Sequence, residues 1–248
     1  MRRGQHFLVD DRVAKRQVGY ASLTKDDVVL EIGAGKGALT RYLAAAAGRV
    51  IAIEIDAALA AGLEDMDNVE LLRCDALALD FDALAFTKVV ANLPYQISSP
   101  VTFKLLEQDF ELGVLMYQKE FAERLVAPPG SDAYARLSVM AQYAADWELL
   151  ETVSPGAFYP RPKVRSSVVR MTPREPLFSV VDTDVFADVV RALFSHRRKK
   201  IRNGLLAAGL VSRDQLDDVP YVHRRAEDLL PAQLGAVSDA VAVLRGRR

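Results

Sequence analysis

The 248-residue chain is predicted to be an α/β protein, a parallel sheet covered on both faces by helices, with a small all-helical region at its carboxyl end. Three observations carry that prediction. Short β-rich runs alternate with helical patterns between residues 26 and 120. A glycine cluster follows the first run directly. Beyond residue 176, apolar side chains recur at helical spacing.

Residues 28–31 read as a buried strand, and the glycines after them open a helix with Leu39, Leu43 and Ala47 on its apolar face. Further strand patterns stand at 50–54, 69–74, 88–91 and 113–117. Right-handed crossovers align the carboxyl ends of such strands along one edge, where ligands bind. Two more strand patterns, 148–153 and 167–171, flank a connector in which Pro155, Pro160 and Pro162 forbid a helix. An antiparallel hairpin closing the sheet is expected there. Composition breaks at 172–176. After it, Val185, Phe186, Val189, Val190, Leu193 and Phe194 share one helix face, and Leu234, Val237, Val241 and Leu244 another. Asp184 is the expected cap of the first of these helices, and Pro231 suits the first turn of the last. The expected domains are therefore 1–175 and 176–248.

Composition narrows the class. Half the residues are hydrophobic and 26% are charged, which excludes a disordered or collagen-like chain. The longest apolar runs are too short to span a bilayer, and no basic-then-apolar leader opens the chain, so a cytoplasmic protein is expected. One cysteine, Cys74, and three scattered histidines (His6, His196 and His223) form no metal-ligand pattern, and no metal is expected. A net charge of −1 hides an asymmetry: residues 1–160 carry an excess of eight acidic side chains and residues 161–248 an excess of seven basic ones. Such a split fits a second region that faces a polyanion, and equally a set of solvated helix faces.

The chemistry sits at strand ends. Glu31-Ile32-Gly33-Ala34-Gly35-Lys36-Gly37 follows the first strand and opens a helix, so backbone can approach a ligand closely. The spacing is GxGxG rather than the dinucleotide fingerprint. Glu54 ends the second strand 21 positions after Gly33, placed to accept both hydroxyls of a ribose. Together they indicate an adenosine-containing cofactor without saying which; an ordinary strand–helix turn is the alternative. Asp75, followed by Ala76, ends the third strand and can accept an adenine amino group. Asn92-Leu93-Pro94-Tyr95 ends the fourth. An exocyclic adenine amine is a poor nucleophile because its lone pair is delocalised into the ring. The Asn92 amide oxygen and the Leu93 carbonyl can accept its two hydrogens and draw the nitrogen toward tetrahedral geometry. Pro94 fixes the turn, and Tyr95 offers a face for stacking. An Asn-Pro turn with a core tyrosine is the structural alternative.

Taken together, these motifs resemble the KsgA-type ribosomal RNA small-subunit adenine dimethyltransferases over nearly the whole length. Gly4-Gln5-His6-Phe7-Leu8 resembles the family's cofactor cover, 31–37 its methionine-side loop, and 92–95 its target-amine motif. Residues 118–125, 134–138, 158–164, 197–203 and 225–229 also match. The resemblance implies a Rossmann-like class I S-adenosylmethionine-dependent methyltransferase sheet with a helical carboxyl-terminal RNA-recognition domain. It implies cofactor contacts at Gln5, His6, Leu8, Gly33, Gly35, Glu54, Ile55, Asp75, Ala76 and Asn92. Phe158 is implied to pack on a flipped adenine opposite Tyr95. The implied activity is N6,N6-dimethylation of two adjacent adenosines in a loop near the 3′ end of small-subunit rRNA, in subunit biogenesis.

Two departures stand out. Only Met1-Arg2-Arg3 precedes Gly4, where many bacterial members carry a longer basic arm, and His6 stands where several have Asn, as in the archaeal and eukaryotic branch. RNA contact is expected at Arg161, Lys163 and Arg165 beside the base-binding loop and at Arg191, Arg197, Arg198, Lys199, Lys200 and Arg202 in the tail. The expected partner is the immature small ribosomal subunit, met by a monomer. A non-enzymatic assembly factor, a large-subunit rRNA methyltransferase, and a protein-glutamine or DNA-adenine methyltransferase are the competing readings.

Overall fold

The computed structural model describes residues 5–246; Gly4 and the Met1-Arg2-Arg3 lead fall outside them. In chain order the elements are β1 (Phe7–Leu8), α1 (Asp11–Tyr20), β2 (Val28–Ile32), α2 (Thr40–Ala46), β3 (Arg49–Ile53), α3 (Ala57–Ala60), β4 (Val69–Leu72), β5 (Lys88–Asn92), α4 (Ser98–Leu105), β6 (Leu112–Gln118), α5 (Lys119–Leu125), α6 (Arg136–Ala144), β7 (Ala145–Val153), β8 (Phe158–Tyr159), β9 (Ser166–Pro173), α7 (Thr183–Phe194), α8 (Ile201–Ala207) and α9 (Pro231–Leu244).

Seven strands form one sheet in the order β4-β3-β2-β5-β6-β9-β7. β2 pairs in parallel with both β3 and β5, β3 with β4, and β5 with β6; β9 runs antiparallel to β6. Alternation along the strands serves two faces. Val29, Val50, Val90 and Val114 join Leu39, Leu43 and Ala47 in one buried cluster, while Leu30, Ile51, Val89 and Leu115 are buried without belonging to it. The chain winds outward from β2 to β3 on one side and reaches β5 on the other. The switch point of the topology thus lies between β2 and β5, and the crevice for a ligand opens beyond their carboxyl ends.

The two strands expected to close the sheet are neighbours at its edge. β9 lies between β6 and β7, so the later strand occupies the inner position and β7 the edge. A second, two-stranded sheet pairs β1 with β8 antiparallel, Phe7 opposite Tyr159 and Leu8 opposite Phe158. It ties the amino-terminal segment to the Pro-rich connector.

By contacts the chain divides into two compact units. One comprises Met1–Ala122 and Asp146–Pro173, the other Glu123–Ala145 and Arg174–Arg248. The division is discontinuous, where the sequence leads one to expect a single cut near 175. The reason is packing: Tyr134 and Val139 from the inserted stretch are fully buried in a cluster with Phe186, Val190, Leu193, Leu234, Val237 and Val241. Tyr134 Oη also donates to the Leu229 carbonyl at 2.9 Å. α7 is capped by Asp182, whose carboxylate accepts from the N–H groups of Asp184 and Val185. The cap expected at Asp184 is corrected to the aspartate two residues earlier, because Asp182 has the extended backbone a cap needs while Asp184 is already helical. Pro231 stands in the first turn of α9 as expected. Among the described residues no helix is long and apolar enough to cross a membrane.

Candidate active site

Everything that the strand-end reasoning singles out in the first unit is carried by the loops after β2, β3, β4 and β5. After β2 the backbone turns through three glycines with positive φ: Gly33 at 80°, Gly35 at 56° and Gly37 at 78°. The N–H groups of Gly33 and Ala34 both donate to the Ile53 carbonyl, at 2.8 and 3.1 Å, locking the loop to the end of β3. Only glycine fits at Gly33 for a second reason. A Cβ there would lie 3.0 Å from Cγ and Cδ of Pro94, so the glycine loop and the Asn92–Tyr95 turn touch.

Glu54 is buried and its carboxylate accepts from Gly35 N–H at 2.8 Å and Asp56 N–H at 2.9 Å. A carboxylate has about four acceptor positions. Two remain open to further donors, and the two backbone N–H groups hold the carboxylate in place. Ile55 beside it is 55% exposed, and Leu77 after β4 is 38% exposed. They offer apolar surface at the ends of two neighbouring strands. Asp75 is exposed, with one carboxylate oxygen accepting from Leu77 N–H at 2.9 Å, while Ala76 is buried. This donor and acceptor set fits a nucleoside cofactor.

Asn92 ends β5, opposite Met116 of β6. Its Oδ1 is buried and has no hydrogen-bond partner. An orphaned buried acceptor costs about 1–3 kcal/mol, and it is the kind of defect that persists at a site shaped for a donor that comes with the substrate. Leu93 is buried and its N–H donates to the Met116 carbonyl at 3.2 Å. The Pro94 carbonyl accepts from Ile97 N–H at 3.0 Å, starting α4. Tyr95 is half-buried and hydrogen-bonded through its hydroxyl to Ser166 Oγ at 2.8 Å. Burial raises its pKa, against the Ser166 bond, and the phenol stays protonated.

The amino-terminal segment completes the corner. His6 lies with its ring centroid 5.9 Å from that of Tyr95, and its Nδ1–H donates to the Pro160 carbonyl at 2.7 Å. A carbonyl only accepts, so the proton is on Nδ1. Leu8 is buried, and Gln5 is half-buried. Phe158, implied by resemblance to face an adenine, is 5% exposed and packs in the core with Leu8, whereas its neighbour Tyr159 is 67% exposed. Sequence reasoning overlooked Tyr159, although an aromatic next to Arg161 and Lys163 is a signal for nucleic acid.

It also left Glu31 without a role. Glu31 is buried at the end of β2 with Oε2 unpartnered. Burial lifts its carboxyl to about 8, the Thr40 hydroxyl opposes that, and the Glu54 charge adds to it. Gln17 of α1 was overlooked too; it is fully buried and its Nε2 donates to the carbonyls of Ala91 and Val114, stitching α1 onto the strands that position Asn92.

The basic residues fall into three groups. Arg161, Lys163 and Arg165 are exposed on the loop between β8 and β9. Arg191 is exposed on α7 and paired with Asp188. Residues 197–200 form the turn between α7 and α8 rather than a helix, with Arg198, Lys199 and Lys200 exposed and Arg202 exposed on α8. Arg197 is occupied differently. Its guanidinium donates to the carbonyls of Asp132 and Tyr134, both at 2.7 Å, and meets the Glu227 carboxylate at 3.5 Å.

Comparison with known proteins agrees with this geometry. A protein named probable ribosomal RNA small subunit methyltransferase A from Methanosarcina acetivorans is 46% identical over 98% of this chain and 94% of its own length. Its namesake from Methanothermobacter thermautotrophicus is 52% identical over 82% of this chain and 73% of its own. Among solved structures, a dimethyladenosine transferase from Plasmodium falciparum superposes with a TM-score of 0.80 at 28% identity, covering 93% of this chain and 95% of that one. The 23S rRNA methyltransferase ErmE gives 0.69 at 29% identity, covering 95% and 99%. The sequence pattern described as ribosomal RNA adenine dimethylase matches residues 1–221. With that span and those strand-end loops, the chain belongs to the ribosomal RNA adenine dimethylase family, enzymes that take S-adenosylmethionine as methyl donor.

Proposed function

We propose that this chain transfers methyl groups to N6 of adenine in small-subunit rRNA, twice at each of two adjacent adenosines in a loop near the 3′ end. The observation that carries the reading is the buried, unpartnered Asn92 Oδ1 at the switch point of the sheet, against the Gly33 loop. S-adenosylmethionine, when bound, supplies a methyl group electrophilic enough to need no nucleophilic side chain. The protein's part is positioning and electrostatics. Glu54 and the glycine loop hold the nucleoside half of the donor. Asn92 Oδ1 accepts one amine hydrogen and the Leu93 carbonyl the other, and these dipoles stabilise positive charge developing on N6. Tyr95, held by Ser166, stacks on the ring. The N6 proton leaves to water after transfer, because an N6-methylated adeninium is acidic.

RNA arrives through charge at Arg161, Lys163, Arg165, Arg198, Lys199, Lys200 and Arg202, with the immature small subunit as partner, a monomer as working form and the cytoplasm as place of action. A looped adenine is favoured because a paired one must first be unstacked. The relatives of 46 and 52% identity carry small-subunit names, which supports that target over the large-subunit one of ErmE. Incubating the protein with methyl-labelled S-adenosylmethionine and immature small subunits tests the reading. Label recovered as N6,N6-dimethyladenosine supports it, and unlabelled RNA refutes it.

A further inference from the structure

The loop after β4 holds Asp75 and Leu77. Residues 73–87 contain neither helix nor strand, so their main-chain carbonyls need partners from elsewhere in the fold. Lys104 supplies them. It stands half-buried in the last turn of α4, and its Nζ donates to the carbonyls of Ala76 and Leu77, both at 3.3 Å, and to that of Leu79. An ammonium has three N–H donors, and three carbonyls use all of them. The Phe81 ring, 1% exposed, has its centroid 4.4 Å from Nζ and backs the charge. α4 itself starts from the target turn, where Ile97 N–H and Ser98 Oγ both donate to the Pro94 carbonyl.

Leu77 transmits the hold of Lys104 to Asp75. Its carbonyl accepts from Nζ, while its N–H donates to the Asp75 carboxylate at 2.9 Å. Ala78 N–H closes the turn on the Asp75 carbonyl at 3.0 Å. Asp75 is exposed, so the direction of its carboxylate comes from this hydrogen-bonded turn rather than from packing. Carbonyls that converge on one nitrogen suit a compact ammonium, whereas a guanidinium spreads its donors over a fork.

We propose that Lys104 is a positioning residue for the methyl donor. By pinning the carbonyls of Ala76, Leu77 and Leu79 it aims Asp75 at the 6-amino group of the donor's adenine, and so sets the preference for that base over one with a carbonyl there. This rests on the functional reading above and on Asp75 as the acceptor of that amine.

The full chain is titrated calorimetrically with S-adenosylhomocysteine and with S-inosylhomocysteine, in which a carbonyl oxygen replaces the 6-amino group. The unaltered chain should prefer the adenine compound about thirtyfold, since the other turns an acceptor toward a carboxylate. Lys104→Met keeps the length of the side chain and removes the donors. It should weaken S-adenosylhomocysteine about tenfold and leave S-inosylhomocysteine nearly unmoved, cutting the preference to about threefold. Lys104→Arg keeps the charge without the convergence and should fall between the two. Lys25 is the control, because its Nζ holds the Ala45 and Ala47 carbonyls at 2.9 Å at the carboxyl end of α2. Lys25→Met should leave the preference in place. Loss of affinity for both compounds alike makes Lys104 merely structural and overturns the proposal, as does a preference that falls equally in Lys25→Met. A preference fully kept in Lys104→Arg overturns it even where Lys104→Met fails to fold. An unaltered chain that binds both compounds equally sinks the proposal and leaves methyl transfer standing; one that binds neither sinks the functional reading itself.

Discussion

Replacing Asn92 with alanine should move stability and activity in opposite directions. In the free protein, Asn92 Oδ1 is buried with no hydrogen-bond partner, so its removal relieves a desolvation cost of about 1–3 kcal/mol. The side chain is only half-buried, so the packing lost with it is a small part of that sum. The backbone is unaffected, since β5 pairs with β6 through main-chain groups as far as Met116. The expected result is a melting temperature equal to or a few degrees above that of the unaltered chain. Turnover should fall about 10²–10³-fold, the usual consequence of deleting one preorganised dipole aimed at developing charge. Calorimetry and initial rates of methyl transfer to immature small subunits, run on the same preparations, measure both. The reasoning fails if Asn92→Ala melts several degrees lower, for then Asn92 is structural. It fails equally if turnover stays within tenfold.

Three further predictions follow from other residues. Gly33→Ala puts a Cβ 3.0 Å from Pro94 at a backbone φ of 80°, so a stability loss of about 1–3 kcal/mol and a displaced target turn are expected, read by denaturant melts and by a loss of turnover at saturating donor. Glu31 has a folded pKa of about 8 against an ordinary value of 4.5, so the folded state binds the extra proton between them and the stability this lends is lost as pH rises through about 8. Glu31→Gln should abolish that decline, and melting curves from pH 5 to pH 9 that fall in parallel for both proteins would refute it. Arg197→Ala should cost about 1.5–3 kcal/mol by removing the charge-assisted hydrogen bonds to the Asp132 and Tyr134 carbonyls, while Glu227 keeps Arg225 at 3.9 Å, and Arg197→Lys should restore little of it.

Much of the site was legible because its chemistry sits at strand ends, which local pattern marks well. Leu39, Leu43 and Ala47 predict the helix after the glycines, and all three are buried. Gly33 and Asn92 are 59 positions apart in sequence, yet the parallel order of β2 and β5 makes their loops neighbours. What stayed hidden is what local pattern does not encode. The insertion of β9 between β6 and β7 is a matter of strand order, on which side-chain alternation is silent. β1 and β8 are two residues each, too short for any period, and exist because Phe7 and Tyr159 pair across 152 positions. Arg197 reads as one more basic residue in a run; only the fold reveals that its guanidinium is occupied by main-chain carbonyls. Phe158 and Tyr159 are adjacent aromatics whose exposure differs because strand geometry sends them to opposite sides.

The central claim is that the Asn92 amide oxygen receives the adenine amine. A structure of the chain with S-adenosylhomocysteine and a target RNA tests it most directly. The account predicts N6 about 2.7–3.2 Å from Asn92 Oδ1 with the base against Tyr95. An Asn92 oxygen turned away from a docked adenine, or filled by a protein donor, contradicts it.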